Sequence, residues 1–119
     1  MADPHQETRR LLDRRATLLR ERIHHIDPTA ARRDCLLDTG DAAAAAAAET
    51  EQLALRDRAR DALHDVQAAL HRLDTGDYGR CVYCGRPISA DRLDAVPTAD
   101  TCTECADPAT NRSTDTEDT

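Results

Sequence analysis

Phenylalanine and tryptophan are absent from this 119-residue chain, and two tyrosines supply all of its aromatic content, 2%. A thick globular core draws on large rings from several directions, so a core of that kind is excluded. Lysine is absent too: all 16 basic residues are arginine, outnumbered by 23 acidic ones for a formal net charge of -7. A phosphate backbone rewards neutralising cations, so direct DNA binding is not expected and a protein partner is. No apolar run approaches the roughly 18 residues of a membrane-spanning helix. Nor does a basic stretch lead into an apolar one, so neither membrane insertion nor a secretory signal is expected. Cytoplasmic placement follows as the expectation, and there paired cysteines point to a metal before a disulfide. The chain is too short for separate substrate and catalytic domains, and no enzyme constellation stands out. Two routes to a fixed structure remain, long helices packed along a narrow seam and a metal staple.

What is present offers both. From about His5 to Leu37 the apolar positions Leu12, Ala16, Leu19, Ile23, Ile26, Ala30 and Leu37 recur in steps of three and four, with Arg33 the one polar member. That is the seam of a helix packed on one partner helix. Asp27-Pro28 interrupts it, and a kink or short break is expected there, with Asp27 capping the restart. A second run, from about Asp41 to Leu73, carries Ala45, Ala48, Gln52, Leu55, Ala59, Ala62, Val66, Ala69 and Leu73, widened by Leu63 and Leu70. Asp41 is a candidate N-cap for the seven alanines that follow, and Gly76 ends the run. Each run is about 32 residues, roughly 48 Å at 1.5 Å per residue. Asp38-Thr39-Gly40 is the tight turn between them, so the runs fold back as an antiparallel coiled-coil hairpin, slender where one wall is almost all alanine.

Four of the five cysteines follow as Cys81-Val82-Tyr83-Cys84 and Cys102-Thr103-Glu104-Cys105. A two-residue gap lets both thiolates of a pair reach one ion, and two pairs close a tetrahedral zinc site. Gly85 suits a knuckle that needs positive φ. Four thiolates leave no open position for water or substrate, so the ion, one Zn(2+), is structural. It folds a segment that lacks a core of its own. Cys35 has no such neighbour and reads as a small packing residue. His5, His24, His25, His64 and His71 do not share ligand spacing and read as surface residues. The expected organisation is all-α: a hairpin over 1–75 with its tip at 38–43, a four-cysteine zinc finger over 76–106, and a disordered acidic tail over 107–119.

The stretch Asp77-Tyr78-Gly79-Arg80-Cys81-Val82-Tyr83-Cys84-Gly85-Arg86-Pro87-Ile88 resembles the DksA/TraR family of C4-type zinc finger transcription factors. So do Arg92-Leu93-Asp94-Ala95-Val96-Pro97-Thr98-Ala99 and the second cysteine pair. The family carries Asp-x-x-Asp-x-Ala at its hairpin tip, and Asp38-Thr39-Gly40-Asp41-Ala42-Ala43 supplies that pattern. The resemblance implies a regulator that binds core RNA polymerase as a monomer and inserts its coiled-coil tip into the secondary channel to modulate initiation. Asp38, Asp41 and Ala43 would then be the partner-binding residues, and the zinc module would orient the hairpin at the channel rim. Relatives that respond to guanosine tetraphosphate or pentaphosphate hold it partly with basic residues. The corresponding positions here are Asp65, Val96 and Ala106, none of them basic, so no such site is expected. The family's helix after the last cysteine is replaced by Asp107-Pro108 and polar residues. A zinc-stapled adaptor for another protein is the alternative, and tip carboxylates holding a second Mg²⁺ for transcript cleavage are a more distant one.

Overall fold

A computed structural model of the chain describes residues 5–106, so the expected tail at 107–119 lies outside the described residues. Five helices occur in order: α1 (Gln6–His25), α2 (Pro28–Thr39), α3 (Ala42–Thr75), α4 (Ala90–Ala95) and α5 (Thr103–Ala106). Among the described residues there is no strand, only an isolated antiparallel bridge between Arg80 and Pro87. None of the helices is long and apolar enough to cross a membrane. The chain divides into two compact units, one of Asp13–Asp65 and one of Met1–Leu12 with Val66–Thr119.

The unit Asp13–Asp65 is a hairpin of helices. The break expected at Asp27-Pro28 is there: α1 ends at His25, and α2 starts at Pro28. Asp27 caps the restart, its carboxylate accepting from the Ala30 amide at 3.1 Å. Proline at the first helical position costs no hydrogen bond, because that amide has no partner in any helix. Ala16, Pro28, Ala45 and Ala59 are buried, and Arg32 reaches across to Glu49 at 3.4 Å. That ion pair joins two partly exposed side chains and is worth little. The small buried residues set the packing here.

The seam departs from the expected pattern at Leu37 and, on α3, at Leu55, which is exposed. Leu37 is 78% exposed and does not face α3. The break at Ile26-Asp27 shifts the helix phase, so Pro28 is buried and Ala31 and Cys35 take half-buried positions in its register. A stripe counted straight through the break lands Leu37 on the wrong side. Leu12, in the other unit, is fully buried. Leu12→Ala therefore lowers unfolding stability by about 2–5 kcal/mol, while Leu37→Ala changes it by less than about 0.5 kcal/mol, as urea titration will measure.

In the second unit residues 5–12 lie against the end of α3. Leu12, Val66, Ala69 and Leu73 are buried together, as the heptad-like spacing of α3 requires. Arg9 pairs with Asp74 at 2.6 Å, and the His5 ring meets Tyr78 edge-on at 5.2 Å. Beyond α3 the chain is held by a few long-range bonds. Tyr78 donates its hydroxyl to the Pro97 carbonyl at 2.8 Å, and burial pushes its phenol pKa up. Arg72 donates to the Thr98 carbonyl at 3.3 Å, and Arg92 to that of Thr101 at 2.8 Å. Ser89 caps α4 through the Arg92 amide. Within 76–106 the buried apolar side chains are only Cys81, Ile88, Pro97 and Ala99. Four such residues cannot offset the chain entropy of ordering this segment. A further source of stability is required.

Candidate metal centre and hairpin tip

That source lies in the cysteines. Cys81, Cys84, Cys102 and Cys105 converge, with their sulfurs all within 4.8 Å of one another. The Sγ atoms of Cys84 and Cys102 are 3.7 Å apart. A tetrahedron of thiolates about 2.3 Å from zinc has an edge of about 3.8 Å, so the pair already stands at the required spacing. The first pair sits on a knuckle. The Gly85 amide donates to the Cys81 carbonyl at 3.0 Å, and the Cys81 amide to that of Arg86 at 2.8 Å. Gly85 has φ of 75°, the left-handed conformation that the turn needs and that a side chain would strain. The second pair enters and lines α5, and the Val82 amide donates to the Asp100 carbonyl at 2.8 Å, tying the two halves of the site together.

The electrostatics favour a cation. Burial pushes the Cys81 thiol up, but the amides of Cys102, Cys84 and Tyr83, with the Cys105 side chain, outweigh it and bring the pKa down to about 6. Hydrogen bonds with Cys102 and Cys81 and then burial push Cys105 up to about 12. At Cys84 the Arg86 amide pulls down, yet burial and the bonds to Cys81 and Cys102 carry the value above the ordinary one. In the metal-free chain, then, the Cys81 thiolate is stabilised by oriented amides, while Cys84 and Cys105 hold their protons more tightly than a free thiol does. A divalent ion removes that conflict by replacing the protons. Donor type, number and spacing all fit one tetrahedral metal ion, with no ligand position left open.

The other sequence-marked residues lie at the turn between α2 and α3. Asp38 is in the last turn of α2 and exposed; Asp41 and Ala43 are exposed at the start of α3. Gly40 makes the turn with φ of 67°, and its amide donates to the Leu36 carbonyl at 2.8 Å. The Asp41 carboxylate accepts from the Ala43 and Ala44 amides at 3.0 and 3.1 Å, so it is the N-cap read from the sequence. Asp38 makes no such bond among the described residues. The family pattern groups the two aspartates as tip residues, and the structure separates them into the capping group expected at Asp41 and an exposed carboxylate at Asp38 that makes no such bond. Sequence reasoning missed Thr39, whose hydroxyl joins the two helix ends, because a threonine in a turn carries no distinguishing signal. Asp65 and Val96 are exposed and Ala106 is half-buried.

Residues 76–111 match the prokaryotic dksA/traR C4-type zinc finger, which assigns the ion as zinc. Over 54 residues the chain is 46% identical to the RNA polymerase-binding transcription factor DksA of Haemophilus influenzae, covering 45% of this chain and 37% of that protein. Over 63 residues it is 38% identical to the protein of the same name from Escherichia coli K12, covering 50% of this chain and 42% of that one. The chain thus spans about two-fifths of the length of these curated relatives. The solved structure of transcription factor DksA2 from Pseudomonas aeruginosa is similar over 100% of this chain and 95% of its own. Its TM-score is 0.70 and its sequence identity 31%.

Proposed function

This chain belongs to the DksA/TraR family of C4-type zinc finger proteins, and from that premise we propose that it is a transcription regulator that binds RNA polymerase. The observation that carries the reading is the likeness to a transcription factor over the whole chain, together with the exposed turn that bears Asp38, Asp41 and Ala43. Cys81, Cys84, Cys102 and Cys105 hold one structural zinc ion, which folds residues 76–106. The chain works as a three-part molecule, with a hairpin over 1–75, the zinc finger over 76–106 and the remaining residues at 107–119. It acts in the cytoplasm, as a monomer, without enzymatic activity and without direct contact to DNA.

The tip enters the secondary channel of the polymerase. Two aspartates bring negative charge on a narrow support to a site built around cations. No guanosine tetraphosphate site forms at Asp65, Val96 and Ala106, because a polyphosphate finds no cation on those side chains and one carboxylate that repels it. The experiment is capture of core RNA polymerase by the zinc-loaded protein, followed by transcription in vitro with and without guanosine tetraphosphate. Stoichiometric capture and an effect on initiation that the nucleotide leaves unchanged are expected. Failure to capture polymerase would overturn the reading and leave an adaptor for another protein. A nucleotide-dependent effect would restore the alarmone site.

A further inference from the structure

The turn between α2 and α3 is tied by one hydroxyl. Thr39 Oγ1 donates to the Cys35 carbonyl at 2.8 Å and accepts from the Asp41 amide at 3.1 Å. The first bond fixes the threonine rotamer against the last turn of α2, a back-bond to the carbonyl four residues earlier. The second satisfies an amide that precedes α3 and has no partner within that helix. Oδ1 of the Asp41 carboxylate in turn accepts from the Ala43 and Ala44 amides. Asp41 is therefore held at both ends, its backbone amide by Thr39 and its side chain by the first turn of α3. Its second carboxylate oxygen takes no part in the cap, and the residue is exposed. Asp38, one residue before Thr39, makes no tie of this kind among the described residues.

We infer that Thr39 is a positioning residue for the tip: its hydroxyl sets where the Asp41 carboxylate stands relative to that of Asp38. This rests on the proposed function, in which those carboxylates act on polymerase. Thr39 touches no partner in this account and acts through Asp41 alone. Glycine at position 40 supplies the left-handed φ that the turn requires, and the threonine hydroxyl adds a tie from the last turn of α2 to the residue beyond it. The effect sought is the precision with which two charges are presented, and not the existence of the hairpin.

The test uses full-length, zinc-loaded protein with Thr39→Val, which keeps the shape and removes the hydroxyl, and Thr39→Ser, which keeps the hydroxyl. The concentration giving half-maximal effect on initiation rises about fivefold in Thr39→Val, the worth of one hydrogen bond, and returns to the parent value in Thr39→Ser. In an Asp41→Asn background Thr39→Val adds nothing further, because both changes act on one group. Independently of polymerase, hydrogen exchange at the Asp41 amide speeds up by about fivefold in Thr39→Val while the helical circular dichroism is unchanged. Unaltered exchange, or loss of effect that serine fails to rescue, would overturn the positioning role. If exchange changes as expected but the parent protein has no effect on transcription, the failure lies with the proposed function and leaves the hydrogen bond standing.

Discussion

Cys81→Ser leaves the protein unable to hold zinc in stoichiometric amount and unfolds residues 76–106. Cys81 is the most buried of the four thiols and the one toward which three amides point, so its loss removes the best-prepared ligand. The segment has no compensating core, since Ile88, Pro97 and Ala99 are the buried apolar residues that remain with it. Structural zinc contributes on the order of 10 kcal/mol at neutral pH, comparable to the whole stability of a small domain. Metal removal by a chelator has the same outcome as the substitution, and added zinc reverses it only in the parent. Zinc content by mass spectrometry under non-denaturing conditions, with amide exchange over 76–106, reads both. Protection that survives in the metal-free chain would mean that the Tyr78, Arg72 and Arg92 bonds hold the segment by themselves.

Asp38→Asn and Asp41→Asn together abolish the effect on transcription while polymerase binding and folding persist. Asparagine is as good an N-cap as aspartate, so Asp41→Asn keeps the bonds to Ala43 and Ala44 and removes only charge. Asp41→Ala removes the cap as well and costs a further roughly 1 kcal/mol of stability. Asp38 has no structural bond to lose, so Asp38→Asn and Asp38→Ala are equivalent in thermal melts and in activity. Different behaviour of those two would show that Asp38 has a structural role that its surroundings do not reveal. The comparison therefore separates charge from scaffold at the tip, which a double alanine variant would not.

Much of this was legible in the residues. The α3 stripe holds at Ala45, Ala59, Val66, Ala69 and Leu73, because a continuous helix keeps its phase, and fails at Leu55, which is exposed. The four-cysteine cluster was readable for a related reason: two-residue gaps leave a pair of thiols few places to go but one ion. Leu37 was misplaced because a proline break resets phase by an amount that spacing does not encode. The contacts that close the second unit, Arg9 with Asp74 and His5 with Tyr78, join residues more than sixty positions apart, and no local pattern announces them. The division of labour between Asp38 and Asp41 was half legible: an aspartate before a run of alanines reads as an N-cap, while nothing local says that Asp38 makes no such bond.

The most direct measurement places a photo-activated crosslinker at position 43, next to the capped aspartate, and irradiates the zinc-loaded protein with core RNA polymerase. Adducts within the catalytic subunits, at residues lining the nucleotide entry route and lost when that route is blocked by a competing ligand, are the predicted result. Adducts confined to the outer surface of the enzyme, or to some other protein, would contradict a probe that works from inside the polymerase.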